Sequence, residues 1–160
     1  MNLLSHAFLD QNGFSYTKLT FPSETEKGAA NVANALGCAP TQMVKTLIFE
    51  TGSGEHVLVM LAANKNAISG HLKKAIGSRD IKLADPDTVK QVTGYEIGSI
   101  PPFHWQPHGF RAFVDTALTH EKVLGVGAGV WGQEIMLSPQ NLVEASAATV
   151  VNLTERDQPV

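Results

Sequence analysis

Cysteine is almost absent from this chain. Cys38 is the single cysteine among 160 residues, which excludes an internal disulfide and any metal site built from several cysteines. One thiol is typical of a reducing compartment, and we expect a cytoplasmic protein. No apolar stretch approaches the roughly 20 residues that cross a bilayer, and the first residues lack the features of a secretion signal. We therefore expect no association with a membrane.

Charge is scarce as well, at 17% of residues with a formal net charge of −3. This balance argues against a protein that coats nucleic acid irrespective of sequence, although it leaves room for a local basic face. Such a face steers phosphate groups in some proteins, and in more of them it is simply a solvated helix surface. Half of the 12 basic residues lie between positions 65 and 90, namely Lys65, Lys73, Lys74, Arg79, Lys82 and Lys90.

The order of the predicted elements indicates the fold class. Helical spacing and capping residues predict helices that end before Gly13, Gly37, Gly77 and Gly94 and one that follows Ser138, with Thr25 capping the second and Asp85 the fourth. Between them, apolar or alternating runs predict strands, two of which form a hairpin around residues 51–54. Hairpins mixed with helices favour a single α+β domain over a doubly wound sheet. We expect this domain to span residues 1–153 and a loose tail to span residues 154–160.

Glycines cluster near the end of the chain, and residues 127–132 spell G-x-G-x-x-G. A dinucleotide motif of this spelling follows a strand and opens a helix, so that the helix N-terminus meets the pyrophosphate. Here residues 133–137 after the motif are predicted as a strand, which argues against that role. The glycines are predicted to form a loop between two strands. Its backbone N–H groups can receive a carbonyl oxygen, a ribose or a phosphate, and the alternative is a hairpin without a ligand.

Lys45 lies in an otherwise apolar predicted strand, residues 43–49. Alternation places it on the same face as Met43, Leu47 and Phe49. A lysine on an apolar face needs a partner or a lowered pKa, which suits a cation held near an anionic or carbonyl-bearing substrate. A lysine at a strand end that extends its ammonium to water is the alternative.

Residues 98–105 form a second candidate, a loop rich in proline and aromatic residues. Its prolines restrict the backbone, so carbonyls and the Ser99 hydroxyl can be presented rigidly. A stiff surface loop without a ligand is the alternative. Ser99 is not expected to act as a nucleophile, because no G-x-S-x-G turn surrounds it.

The remaining polar residues indicate no metal or cofactor. His104 and His108 are four residues apart, but Pro107 and Gly109 oppose a helix there, and no H-E-x-x-H pattern is present. Asp115 ends a predicted strand, where it serves either as a turn residue or as an acid–base group. We expect a protein without a metal site and without a cofactor.

Three sequence blocks resemble one known family. Residues 29–47 contain Ala29-Ala30, Leu36-Gly37 and Met43-Val-Lys-Thr-Leu; residues 93–103 contain a G-x-x-x-P motif at Gly98 and Pro102; residues 127–139 contain the glycine loop and Leu137-Ser-Pro. In this order they are similar to the signatures of the YbaK/prolyl-tRNA-synthetase-associated editing domains. The resemblance covers about residues 25–145. One departure is Val130-Trp131, where many members carry basic, small or histidine residues, so the amino-acid preference is not carried over.

The resemblance implies an α+β fold around a mixed, strongly curved central sheet flanked by helices. It also implies hydrolysis in trans of a small wrong amino acid, such as alanine, cysteine, serine or threonine, from tRNA, often tRNA for proline. Lys45 matches the family lysine. The aminoacylated 3′ end of tRNA is the implied partner, with an aminoacyl-tRNA synthetase as a second candidate.

A mechanism without a protein nucleophile or a metal is our hypothesis, because an aminoacyl ester is already activated. The N–H groups of Gly127 and Gly129 would hold the ester carbonyl or the terminal ribose, and Lys45 would neutralise phosphate or developing negative charge. Water, or a hydroxyl or thiol of the substrate, would attack. The other residues expected to contact substrate are Thr46, Gly98, Ser99, Ile100, Pro101, Pro102, Ala128 and Val130. A non-catalytic module that binds tRNA or a synthetase is the alternative function.

Overall fold

Residues 2–156 are the part of the chain that the computed structural model describes, and they contain five short α-helices and eight strands. The helices are α1 (Leu4–Gln11), α2 (Ala29–Leu36), α3 (Ser69–Ile76), α4 (Pro86–Thr93) and α5 (Pro139–Ser146). The strands are β1 (Thr17–Thr20), β2 (Val44–Thr51), β3 (His56–Ala62), β4 (Ile81–Leu83), β5 (Ala112–Asp115), β6 (Leu124–Gly127), β7 (Gln133–Leu137) and β8 (Thr149–Val151). None of the helices in these residues is long and apolar enough to cross a bilayer.

The strands divide into two sheets. Five strands in the order β4-β2-β3-β5-β8 form a mixed sheet, in which β5 runs parallel to both of its neighbours. Three antiparallel strands in the order β1-β7-β6 form the second sheet. The predicted α+β class with mixed strand directions is confirmed, and the arrangement is that of two sheets rather than one uninterrupted central sheet.

An isolated parallel bridge between Met43 and Gly125 joins the two sheets. Glycine favours this approach, because a Cβ on Gly125 would lie 2.7 Å from the Met43 sulfur and 2.9 Å from the Met136 sulfur, and both side chains would have to shift. The lack of a side chain helps Met43, just before β2, to lie beside Gly125 of β6. Beyond the bridge the two strands are no longer paired, and the space between them forms the site described below.

The central strand β3 explains why the core has two parts. Leu58 and Met60 point into the main core, whereas Val57, Val59 and Leu61 pack on the opposite face with Leu72 and Ile76 of α3. Both faces of β3 are thus covered, which is why its sequence is a nearly unbroken apolar run.

The predicted cap at Asp85 and the predicted start of α5 at Ser138-Pro139 are confirmed. Asp85 accepts a hydrogen bond from the backbone N–H of Thr88, and Ser138 accepts one from Asn141. Thr25 was the wrong choice for α2. This helix begins after Gly28, whose φ of +127° turns the chain into the helix. The backbone N–H of Thr25 instead bonds Pro22 in a preceding turn.

Asp115 is a structural residue at the end of β5. Its fully buried carboxylate accepts hydrogen bonds from the backbone N–H of Leu153 at 2.8 Å and the hydroxyl of Thr154 at 2.5 Å. The turn interpretation is therefore favoured over an acid–base role. Residues 157–160 of the expected tail lie outside the described part of the chain, so the boundary at residue 153 stays a prediction.

Candidate active site

A cavity of about 320 Å³ opens where the two sheets part beyond the Met43–Gly125 bridge. Its walls come from residues 44–47 of β2, the loop at residues 97–100, the start of α2, and the ends of β6 and β7 that face each other. Most of the lining is apolar. The ionisable groups that line it are Lys27, Lys45 and Glu134.

The structure brings together residues from all three sequence blocks. Of the residues predicted to bind substrate or to act in catalysis, Lys45, Thr46, Gly98, Ile100 and Gly127 line this cavity. The others lie behind or beside its walls and do not line it. They are Ser99, Pro101, Pro102, Ala128, Gly129 and Val130.

Lys45 lies at the open edge of β2, ahead of the point where β4 pairs with residues 49–51. It is half-buried, and its Nζ donates a hydrogen bond to Asn66 Oδ1 at 3.2 Å. Burial lowers the pKa of its ammonium. No carboxylate among the described residues forms an ion pair with it, so the ammonium can neutralise an incoming anion.

Gly127 and the loop after Gly98 fit against each other closely. A Cβ on Gly127 would lie 3.0 Å from the carbonyl carbon of Ser99 and 3.2 Å from the carbonyl oxygen of Ile100. Gly98 itself has a φ of +92°, which a side chain would strain. These two glycines therefore allow the loop to pack on the end of β6 and close one side of the cavity.

The far part of that loop is held by its own side chains. Trp105 donates from Nε1 to the Pro101 carbonyl at 2.5 Å, and Gln106 donates from Nε2 to the Pro102 carbonyl at 2.8 Å. The carbonyls of both prolines thus accept hydrogen bonds within the protein. Ser99 is buried and does not line the cavity.

The glycine cluster forms a hairpin between β6 and β7, as the sequence predicted. Residues 128–132 connect the strands, and Gln133 N–H bonds the carbonyl of Val130. The carbonyl of Ala128 accepts a hydrogen bond from the buried hydroxyl of Ser5 on α1 at 2.6 Å. Val130 stands at the tip with 44% of its surface exposed.

Gly129 makes room for an aromatic ring. Its φ is +112°, and a Cβ there would lie 2.7 Å from Cε1 of Tyr95. The Tyr95 hydroxyl is 2.5 Å from Nε2 of His104, which has a positive φ of +78°. Burial raises the pKa of Tyr95 and lowers that of His104. The hairpin is therefore supported by Tyr95 on one side and by Ser5 on another.

Trp131 and Lys27 were not predicted to cooperate. Trp131 donates from Nε1 to the Thr25 carbonyl at 3.1 Å and packs edge-on against Phe21. The ammonium of Lys27 lies 3.9 Å from the centroid of the Trp131 ring. Trp131 thus attaches the segment before α2 to the hairpin and places Lys27 at the cavity. Sequence spacing offered no signal for this contact.

Glu134 is the functional candidate that sequence reasoning missed. It lies on β7 directly opposite Gly127, and only 7% of its surface is exposed. Burial raises the pKa of its carboxyl to about 8. Its side chain makes no hydrogen bond or ion pair with another described residue. An acidic residue within the apolar run of residues 133–137 was the available signal.

Thr46 carries a second polar atom without a partner. Its Oγ1 is buried and forms no hydrogen bond with any described residue. A buried hydroxyl without a partner is destabilising. Thr46 lines the cavity but its hydroxyl is buried, so Glu134 supplies the polar group that is open to a ligand. Among residues 2–156 there is no group of three or more side chains that could hold a metal ion.

Comparison with known proteins identifies the family. The profile of the aminoacyl-tRNA editing domain matches residues 23–145. The chain belongs to this family of editing domains.

Similar proteins support this assignment over most of the chain. The multifunctional Ser/Thr-tRNA deacylase ProXp-y of Escherichia coli strain K12 is 28% identical over 151 residues, which cover 91% of this chain and 88% of that protein. The solved structure of the hypothetical protein APE2540 is 28% identical with a TM-score of 0.83, over 93% of this chain and 97% of that one. A proline–tRNA ligase of Moorella thermoacetica is 25% identical over 84% of this chain, which corresponds to 23% of the ligase.

Proposed function

We propose that this protein is a trans-editing deacylase that hydrolyses the ester between a small mischarged amino acid and tRNA. The observation that carries the proposal is the cavity between the sheets, where Lys45, Gly98 and Gly127 meet around an apolar space. The match to an editing domain and the similarity to a named Ser/Thr-tRNA deacylase support the same reaction.

Positioning and charge stabilisation are the catalytic means that this cavity offers. Its lining contains no serine, cysteine or histidine, so it offers no Ser–His or Cys–His pair for nucleophilic attack. An aminoacyl ester is reactive enough for water, or for a hydroxyl or thiol of the substrate, to attack once the carbonyl is fixed. Lys45 would stabilise negative charge on a phosphate or on the developing oxyanion.

The backbone of the hairpin is the proposed cradle for the ester end of the substrate. Gly127 reaches the cavity, and its N–H is the first candidate donor. Gly129 is one step removed, because it packs against Tyr95. We propose that Gly129 shapes the hairpin that presents Gly127, and that the loop with Gly98, Ser99, Ile100, Pro101 and Pro102 limits the size of the amino acid.

Thr46, Ala128 and Val130 have different proposed roles. Thr46 lines the cavity and would contact the amino acid. Ala128 is buried with its carbonyl bound to Ser5, so it would hold the hairpin in place. Val130 is exposed at the hairpin tip, where it would contact the nucleotide side of the substrate.

The proposed partner is the aminoacylated 3′ end of tRNA, with serine, threonine, alanine or cysteine as the amino acid. The similarity to part of a proline–tRNA ligase makes tRNA for proline the candidate substrate tRNA. A synthetase is the second partner to test. The cytoplasm, where tRNA is charged, is the compartment that this function predicts.

A panel of mischarged tRNAs tests the proposal. Purified protein should release label from at least one small amino acid on tRNA and should leave the correctly charged tRNA intact. Lys45→Ala should lower the rate at saturating tRNA at least tenfold, whereas Lys74→Ala on the exposed side of α3 should not. If no label is released from any substrate and the protein binds tRNA or a synthetase tightly, a binding module of the same fold would be favoured.

A further inference from the structure

The environment of Glu134 favours the binding of a cationic ligand. The residue lines the cavity with only 7% of its surface exposed, and its carboxyl has no side-chain partner among residues 2–156. Removing a carboxylate from water without a partner is costly, so such groups in proteins are paired, protonated or held ready for a ligand. No neighbouring described side chain pairs with this one.

The strand register explains why the carboxyl faces open space. Glu134 lies opposite Gly127 on one side and Leu19 of β1 on the other. Gly127 has no side chain, and the backbone of Ser99 packs where one would stand, with its carbonyl carbon 3.0 Å from any Cβ added there. No side chain from the facing position of β6 therefore covers Glu134, and both residues line the cavity.

None of the three lysines around the cavity forms an ion pair with Glu134. Lys45 Nζ bonds Asn66, Lys27 Nζ lies over Trp131, and Lys18 Nζ on β1 bonds Asn2. The cavity therefore has two cations in its walls and a separate carboxyl with no counter-ion. An aminoacyl nucleotide has the matching pattern, because a cationic α-amino group lies on one side of the ester and anionic phosphodiesters lie on the other.

We infer that Glu134 binds the protonated α-amino group of the aminoacyl ester, an inference that rests on the deacylase function proposed above. The Glu134 carboxylate accepts one hydrogen bond from the ammonium. The substrate is then held by its amino end at Glu134 and by its phosphate end at Lys27 and Lys45.

A proton balance follows from this contact. Burial holds the pKa of Glu134 at about 8 in the empty cavity, and the α-amino group of a substrate has a pKa of roughly 8 as well. At pH 7 both groups begin mostly protonated, whereas the bound pair shares a single proton. Binding therefore releases most of one proton to solvent at pH 7 and takes up most of one proton at pH 9.

Non-hydrolysable analogues test the contact directly. The probes are 3′-seryl-amino-3′-deoxyadenosine, which has the α-amino group, and the matching glyceryl amide, which has a hydroxyl in its place. Calorimetry in two buffers of different ionisation enthalpy gives both the affinity and the number of protons released. Wild-type protein should bind the amine at least tenfold more tightly than the hydroxyl analogue, with proton release at pH 7.

Two substitutions of Glu134 complete the test. Glu134→Gln should bring the amine-to-hydroxyl affinity ratio to about one and abolish the proton released by the protein, while Glu134→Asp should give an intermediate ratio. Thr46→Val removes only a buried hydroxyl and should keep the preference for the amine. An unchanged preference in Glu134→Gln, equal binding of both analogues by wild type, or no measurable binding of the amine would each overturn the inference.

The deacylation assay separates this inference from the proposed function. Hydrolysis of mischarged tRNA by wild type, together with equal binding of the two analogues, would leave the deacylase in place and remove the role of Glu134. Preference for the amine without hydrolysis of any mischarged tRNA would uphold the ammonium site and reject the deacylase.

Discussion

The ammonium of Lys27 lies 3.9 Å from the centre of the Trp131 ring, and Trp131 donates a hydrogen bond to the carbonyl of Thr25. One side chain of the glycine hairpin thus holds both the approach to α2 and the cation at the cavity. The tryptophan that departs from the family pattern therefore has a structural role in this chain: it anchors a neighbouring segment.

Replacing Trp131 should weaken substrate binding more than it slows the chemical step. A cation–π contact contributes about 0.5–1 kcal/mol at an exposed site, so Trp131→Ala should raise KM for tRNA roughly two- to fivefold, with kcat nearly unchanged. Trp131→Phe keeps an aromatic ring but loses the hydrogen bond to Thr25, so its KM should lie between those of wild type and Trp131→Ala. Steady-state deacylation measures both, with Lys74→Ala on the exposed side of α3 as the control. A fall in kcat alone would contradict this positioning role.

Gly129→Ala should destabilise the protein. The φ of +112° strains any residue with a side chain, and the new Cβ would lie 2.7 Å from Tyr95. Backbone strain of this kind costs about 1–3 kcal/mol before the clash is added. Gly70→Ala is the control, because a Cβ there meets nothing within 4 Å and helix propensity favours alanine. Urea denaturation should show a loss for the first variant and a small gain for the second. Equal stabilities would contradict the prediction.

The sequence indicated local features better than the site. The cap at Asp85 and the start of α5 after Ser138 are as expected because capping depends on residues within one turn. The prediction that Thr25 caps α2 was wrong because the helix begins later, directly after Gly28. The preference of threonine for cap positions carries no information about the conformation of Gly28. Local rules predict which elements form, and a positive φ at one glycine decides where one of them begins.

The cavity could be anticipated only in part. Lys45, Gly98 and Gly127 were identified from motifs, and the structure brings them together. Glu134 was not, because no local pattern shows that its side chain is buried or that every neighbour fails to pair with it. That property depends on the register with Gly127 and on the point where the sheets separate, which no local pattern contains.

Ser5→Ala should destabilise the protein and disturb the hairpin. The Ser5 hydroxyl donates to the Ala128 carbonyl at 2.6 Å in a buried setting, so its removal leaves a buried acceptor without a partner. That costs about 1–3 kcal/mol. Thermal or urea unfolding should show the loss, whereas the exposed Ser23→Ala should leave stability within about 0.5 kcal/mol of wild type. A Ser5→Ala protein as stable as wild type would mean that water replaces the hydroxyl.

Glu134 should make stability fall as pH rises. The pKa of its carboxyl is about 8 in the folded protein and near 4.5 in the unfolded chain, so between these values the folded state holds a proton that the unfolded state has lost. The free energy of unfolding therefore falls as pH rises, by at most about 1.4 kcal/mol per pH unit and by about 5 kcal/mol in all. The effect is absent below pH 4.5 and complete above pH 8.

The difference between wild type and Glu134→Gln isolates this effect from all other titrations. The two proteins should have similar free energies of unfolding at pH 4.5, and the Gln variant should be more stable by several kcal/mol at pH 9. Urea denaturation at both pH values measures the difference, and a gap that does not change with pH would contradict the buried, partnerless state of the carboxyl. A wild-type residue that lowers stability at neutral pH, at a position where glutamine fits, is retained most simply because a ligand pairs with it.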